Sequence, residues 1–185
     1  AKKVEELGAD AVIAVTNKAG GHCGPQSPEK FIPELVAACS IPVINAGGIA
    51  TRQHVEESLA MGASGVSVGT IFLASKEADI SDDYRKALID YGAKDIVLTT
   101  KMSGSHLTVI NTPYVQSIGT KATFLEKLGR NKFFKKYAKL LIMVKGMKAI
   151  EKATKKATYK TVWCAGPAIE YIHSIRPLKD ILKDL

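Results

Sequence analysis

Three short apolar runs alternate with helical stripes along the first 76 residues. The runs are Ala11-Val12-Ile13-Ala14-Val15, Ile41-Pro42-Val43-Ile44-Asn45-Ala46 and Gly65-Val66-Ser67-Val68-Gly69. Their nearly uninterrupted apolar character predicts strands buried on both faces of a parallel sheet. Between them, Phe31, Ile32, Leu35, Val36 and Cys39 recur at helical spacing, as do Val55 and Leu59. Glu29 and Thr51 stand near the expected starts of those two helices, where an acidic charge or a capping hydroxyl is favourable. Helices and strands in strict alternation, joined by short loops, predict right-handed parallel crossovers. The pattern leaves two α/β architectures open, a doubly wound sheet and a (β/α)8 barrel.

The rest of the chain reads differently. Asp82 to Tyr91 predicts a helix stopped at Gly92, and Ile96–Thr100 and Leu107–Ile110 predict short extended segments. Residues 119–160 predict Lys-rich helix, with a break near Gly129 or Gly146. Phe133, Phe134, Tyr137, Leu140, Leu141, Val144 and Met147 form its apolar stripe. Pro167 to Leu185 predicts one or two short helices broken at Pro177. The expected organisation is 1–118 as one α/β unit and 119–185 as a helical region packed on it.

Composition narrows the class. Of 185 residues, 46% are hydrophobic and 24% charged, a balance that supports a packed core and excludes a disordered chain. No apolar run approaches the roughly 20 residues that cross a bilayer, so no transmembrane segment is expected. The first seven residues form an amphipathic helical stretch with neither a signal peptide nor an initiator Met, so a missing N-terminal part is expected, and the cysteine usage fits a reducing cytoplasm. Cys23, Cys39 and Cys164 are odd in number and share no metal-ligand spacing; free thiols, a buried Cys39 and no metal site are expected. The net charge of +8 is local, since residues 121–160 hold thirteen Lys or Arg against two Glu. That segment is either a solvated cationic face or a contact for an anionic membrane surface or an acidic partner. No nucleic-acid motif accompanies it.

Ligands of parallel α/β folds sit at the C-terminal ends of the strands, and glycine is concentrated there. After the first strand comes Ala19-Gly20-Gly21-His22-Cys23-Gly24. Its glycines allow close backbone approach to a ligand, and His22 can exchange a proton near neutral pH. The alternative is a flexible loop with an incidental histidine. After the second strand, Gly47-Gly48 suits an amide cradle for phosphate or a simple tight turn. After the third, Gly69-Thr70 suits the same cradle or an N-cap. His106, in Ser103-Gly104-Ser105-His106, sits in a loop that could reach the site, whereas His54 and His173 read as structural or solvated. Trp163 reads as a core residue or a platform for a planar ring.

Taken in order, these segments resemble nitronate monooxygenases, formerly called 2-nitropropane dioxygenases. Gly8-Ala9-Asp10-Ala11-Val12, Ala19-Gly20-Gly21-His22-Cys23-Gly24, Ala46-Gly47-Gly48-Ile49, Gly62-Ala63-Ser64-Gly65-Val66, Val68-Gly69-Thr70 and Phe72-Leu73-Ala74 with Glu77 carry the resemblance over residues 1–77. Ile110-Asn111-Thr112-Pro113-Tyr114-Val115 with Gly119-Thr120-Lys121-Ala122 extends it. The resemblance implies an FMN-binding (β/α)8 TIM barrel, of which the chain holds the last three β/α units and a helical C-terminal region. It implies that Gly20 and Gly21 face the flavin, and that Gly47, Gly48, Ser67, Val68, Gly69 and Thr70 hold its phosphate and ribityl chain. It also implies that His22 is catalytic, acting on a nitronate or nitroalkane with O2 to give a carbonyl compound and nitrite. A homodimer is expected. Two positions depart from many relatives: Lys18 replaces Glu, and Val15 replaces Gln. The alternatives are a flavin-dependent enoyl-acyl-carrier-protein reductase, an NAD(P)H:quinone reductase, and a non-catalytic remnant with a basic interaction surface.

Overall fold

The computed structural model describes residues 1–100, 105–121 and 162–185. The predicted Lys-rich helices and their apolar stripe fall at 122–161, outside the described residues. In chain order the strands are β1 (Val12–Val15), β2 (Gly21–His22), β3 (Val43–Ala46), β4 (Gly65–Ser67), β5 (Ile96–Thr99) and β6 (Leu107–Ile110). The helices are α1 (Lys2–Glu6), α2 (Pro28–Ala38), α3 (Arg52–Ala60), α4 (Asp82–Asp90), α5 (Pro113–Ile118) and α6 (Leu178–Leu182). Short 3₁₀ turns lie at Thr70–Ala74, Ala93–Asp95 and Pro167–Tyr171.

The first three predicted strands form one parallel sheet in the order β1–β3–β4. Helices α2 and α3 are the crossovers. Thr51 caps α3 as its sequence position predicts, its hydroxyl accepting the His54 N–H. Register puts Val12, Ala14 and Val43 on one face, where they pack against Ile32, Phe31 and Leu35 of α2. On that face Asn45 is also buried, and its side chain donates to Ser58 of α3 at 2.9 Å.

The opposite face corrects the expectation of strands covered on both sides. Ile13 is 59% exposed and Val15 38%. Side chains alternate across a pleated strand, so α2 can cover only Val12 and Ala14. Among the described residues nothing seals the face that carries Ile13 and Val15. It opens instead into a cavity that those two residues line.

A second, antiparallel sheet has the order β2–β6–β5. β2 is therefore a strand where the sequence predicted a loop: Gly21 pairs with Thr108, and His22 with Leu107. Two residues are too short to show periodicity, and the pairing comes from a partner more than 80 residues away. Beside this sheet lies the largest core cluster, with Ile71, Leu88, Ile110, Ile169 and Ile181 all buried. Residues 162–185 thus enter the same core as residues 50–110. Burying each such side chain contributes about 1.5–3 kcal/mol. α5 ends at Gly119, whose φ of 74° favours glycine. Cys39, expected to be buried, is only partly so, because it follows the last turn of α2.

Candidate active site at the strand ends

Parallel strands deliver their C-terminal ends to one edge. The segments after β1, β3 and β4 meet there around a cavity of ≈ 360 Å³. His22, Gly20, Gly47, Gly48, Ser67, Gly69 and Thr70 line it, together with Ile13 and Val15 from the open sheet face. Two nominated residues do not. Gly21 is buried within β2, and Val68 packs against the core cluster that includes Ile71.

The glycines have distinct tasks. Gly47 and Gly48 have φ values of 127° and 82°, the left-handed region in which other residues are strained. A Cβ at Gly47 would lie 2.5 Å from both the Ala19 nitrogen and Thr16 Oγ1. A Cβ at Gly20 would lie 2.8 Å from the Gly166 nitrogen. These two glycines let backbone segments cross. At Gly69 a Cβ would meet nothing within 4 Å, so that position borders open space. The backbone N–H groups of Gly47, Gly48, Gly69 and Thr70 have no acceptor among the described residues. Four unpaired donors at one glycine-rich edge suit an anion.

One wall comes from the segment that the sequence offered through Trp163 as core or ring platform. Cys164 and Ala168 line the cavity, and the segment from Trp163 to Gly166 crosses in front of Gly20. Tyr84 Oη donates to the Cys164 carbonyl at 2.5 Å, and the Gly166 N–H donates to Thr70 Oγ1 at 3.1 Å. Trp163 stacks on Tyr84 with centroids 5.6 Å apart. It is thus tied into the core, and Cys164 is the side chain that meets the cavity. Burial pushes the Cys164 thiol up, and burial first, then the Cys164 charge, raises Tyr84 well beyond the usual phenol range. Both stay protonated at neutral pH, so the wall carries no charge. Thr16, missed by the sequence reading, is fully buried and donates to the Ala46 carbonyl at 3.1 Å, joining the ends of β1 and β3. A threonine directly after an apolar strand was the available signal.

The other histidines stand apart. His106 lines a different cavity with Cys23 and Ile96. His54 Nδ1 contacts Thr51 Oγ1 at 3.2 Å, and its ring meets Tyr171 edge-on. His173 lines a third cavity beside Arg176. Among the described residues, no group of three His, Cys, Asp or Glu side chains is placed to hold a metal ion, and no helix is long and apolar enough to cross a membrane.

Lys18 extends over Gly48 and its ammonium meets Glu29 Oε1 at 2.8 Å. That hydrogen bond first, then one from Ser27, holds the Glu29 carboxyl at about 2. A depressed carboxylate stabilises the fold above its unfolded value near about 4.3, and the contribution is lost as pH falls towards 2. Both side chains are largely exposed, at 45% and 62%, which limits the effect to about 0.5 kcal/mol. Glu29→Gln should therefore lower unfolding free energy by no more than that at pH 7 and converge with the parent in strong acid. Urea denaturation across pH checks both points.

One family model matches the whole chain, and the similar proteins carry several names. The family model described as nitronate monooxygenase matches residues 1–185. A Rhodococcus jostii (strain RHA1) protein named (3aS,4S,5R,7aS)-5-hydroxy-7a-methyl-1-oxo-octahydro-1H-indene-4-carboxyl-CoA dehydrogenase is 37% identical over 118 residues, 64% of this chain and 33% of that protein. A probable nitronate monooxygenase of Staphylococcus aureus (strain Newman) is 36% identical over 124 residues, 62% of this chain and 35% of that protein. Among solved structures, FabK from Thermotoga maritima superposes with a TM-score of 0.72 and 27% identity, over 99% of this chain and 55% of that one. The matches thus span about a third of the curated relatives and about half of the solved structure. The described α/β architecture is part of a TIM barrel.

Proposed function

The chain belongs to the nitronate monooxygenase family, and from that membership we propose that its strand-end cavity forms part of the FMN site of an oxidoreductase acting on nitronates. The observation that carries the reading is the meeting of His22 with two glycine-rich strand ends around one cavity. The residues fit the cofactor's phosphate. Gly47, Gly48, Gly69 and Thr70 offer unpaired N–H groups, and Gly69 faces open space that a Cβ would fill. Ser67 lines the path from this cradle for the ribityl chain, and Gly20 lines the cavity beside His22. Gly21 and Val68 support the site from behind, through the β2 turn and the core.

When bound, FMN would supply the electron-transfer chemistry between the nitronate and O2. The chain's own residues supply the rest. His22, on the cavity wall, takes the proton from the carbon bearing the nitro group, or hydrogen-bonds the nitronate already formed. Cys164 and Ala168 on one wall, with the apolar Ile13 and Val15, line the cavity with uncharged groups around His22. The products are a carbonyl compound and nitrite.

The full-length protein given a nitronate in air should release nitrite and carbonyl compound in equal amounts. Oxidation of NAD(P)H with a crotonyl thioester, and no nitrite from nitronates, would replace this reading with the enoyl reductase. NAD(P)H oxidation with a quinone alone would replace it with the quinone reductase.

A further inference from the structure

β2 is only two residues long and ends on the residue assigned to proton transfer. A strand that short has little intrinsic rigidity, so its aim depends on its neighbours. The bend that leads into it, Ala19-Gly20-Gly21, contains a left-handed residue, Gly21 with φ of 79°. Such a bend is a low-energy option for glycine but not the only one, and something must select it.

The selecting contact comes from β6. Thr108 lies directly opposite Gly21 in the antiparallel pair and is 6% exposed. Its hydroxyl donates to the Ala19 carbonyl at 2.5 Å and lies 3.3 Å from the Gly21 carbonyl. One side chain therefore straddles the two carbonyls that flank Gly20. On the other side Gly20 is pressed against Gly166, with room for no Cβ, so the bend cannot relax away from Thr108. Past His22, the Cys23 N–H donates to the His106 carbonyl at 3.2 Å and continues the pairing. His22 is held between these two fixed points.

We propose that Thr108 is a positioning residue for His22: its buried hydroxyl fixes the Ala19–Gly21 bend and so sets where the imidazole enters the cavity. The proposal rests on the reading of His22 as the proton-transfer group. Valine matches threonine in shape but has no hydroxyl, so Thr108→Val leaves both carbonyls without that donor. Thr108→Ser keeps the donor and loses only a methyl group.

The test uses the full-length flavin-loaded protein with His22 observed by NMR. Its ring carbon–proton cross-peak is assigned by its loss in His22→Asn. In Thr108→Val the cross-peak should move, and kcat at saturating flavin should fall about tenfold with KM within about twofold, since misplacement of a reacting group by a fraction of an ångström acts on the chemical step. Thr108→Ser should restore the cross-peak and bring kcat to within about threefold of the parent. Should the valine variant not fold, Thr108→Ala is read in the same way. An unmoved cross-peak in the valine or alanine variant, or a serine variant as impaired as valine, overturns the proposal. An active His22→Asn enzyme overturns the functional reading instead, and the cross-peak still reports whether Thr108 positions the ring.

Discussion

Replacing His22 with asparagine should lower kcat on nitroalkanes about 10²- to 10⁴-fold, the range supplied by a positioned acid or base, while flavin content stays unchanged. Asparagine keeps a polar group of similar reach but cannot take a proton near neutral pH. The cofactor contacts proposed above come from other positions: Gly47, Gly48, Ser67, Gly69 and Thr70 on the cavity wall. His22 pairs with Leu107 through backbone, so the substitution leaves β2 intact. The defect should be largest with the neutral nitroalkane, which must lose a proton, and smaller with the preformed nitronate. Steady-state rates with both substrates check this. Equal loss on the two would make His22 a binding partner and not a base.

The second large effect belongs to Gly47. Gly47→Ala should destabilise the protein by about 3 kcal/mol or more, from a non-glycine residue in a left-handed conformation and from overlap with a packed neighbour. The new Cβ would meet the Ala19 backbone and Thr16 Oγ1 at 2.5 Å. Thr16 is itself fixed by its bond to Ala46, so neither neighbour can yield cheaply. Gly69→Ala is the matched control. Gly69 has a φ of −132°, and its Cβ would touch no protein atom within 4 Å. Stability should therefore change by no more than about 0.5 kcal/mol. FMN affinity should nevertheless fall, because the methyl group occupies space proposed for the cofactor. Denaturation curves and FMN titration of the two variants separate a backbone crossing from a ligand wall.

Some of this architecture was legible in the sequence because it is local. Apolar runs and helical stripes lie within one element each, and Thr51 marked the start of α3 before its cap was seen. Glycine at successive strand ends pointed to one edge because parallel strands must end on the same side. What stayed hidden depends on contacts between distant segments. Thr70 meets Gly166 across 96 residues and Tyr84 meets Cys164 across 80, and no periodicity records either. Thr108 reaches Ala19 across 89 residues, and β6 pairs with Gly21–His22 where the sequence shows only a glycine-rich loop. β1 misled for another reason. Its two faces are equally apolar in the sequence, yet one packs on α2 and the other lines the cavity. An apolar pattern states that a face avoids water, and it is silent on whether a helix or a ligand provides the cover.

The central claim is that the strand-end glycines hold the phosphate of a flavin beside His22. Equilibrium titration of the full-length protein with FMN and with riboflavin tests it most directly. The two ligands differ only in the phosphate, and charge-assisted hydrogen bonds of the kind the cradle offers contribute about 1.5–3 kcal/mol each. FMN should therefore bind at least about 100-fold more tightly than riboflavin, with most of that difference lost in Gly69→Ala. Equal affinities for the two flavins, or no binding of either, would contradict the account.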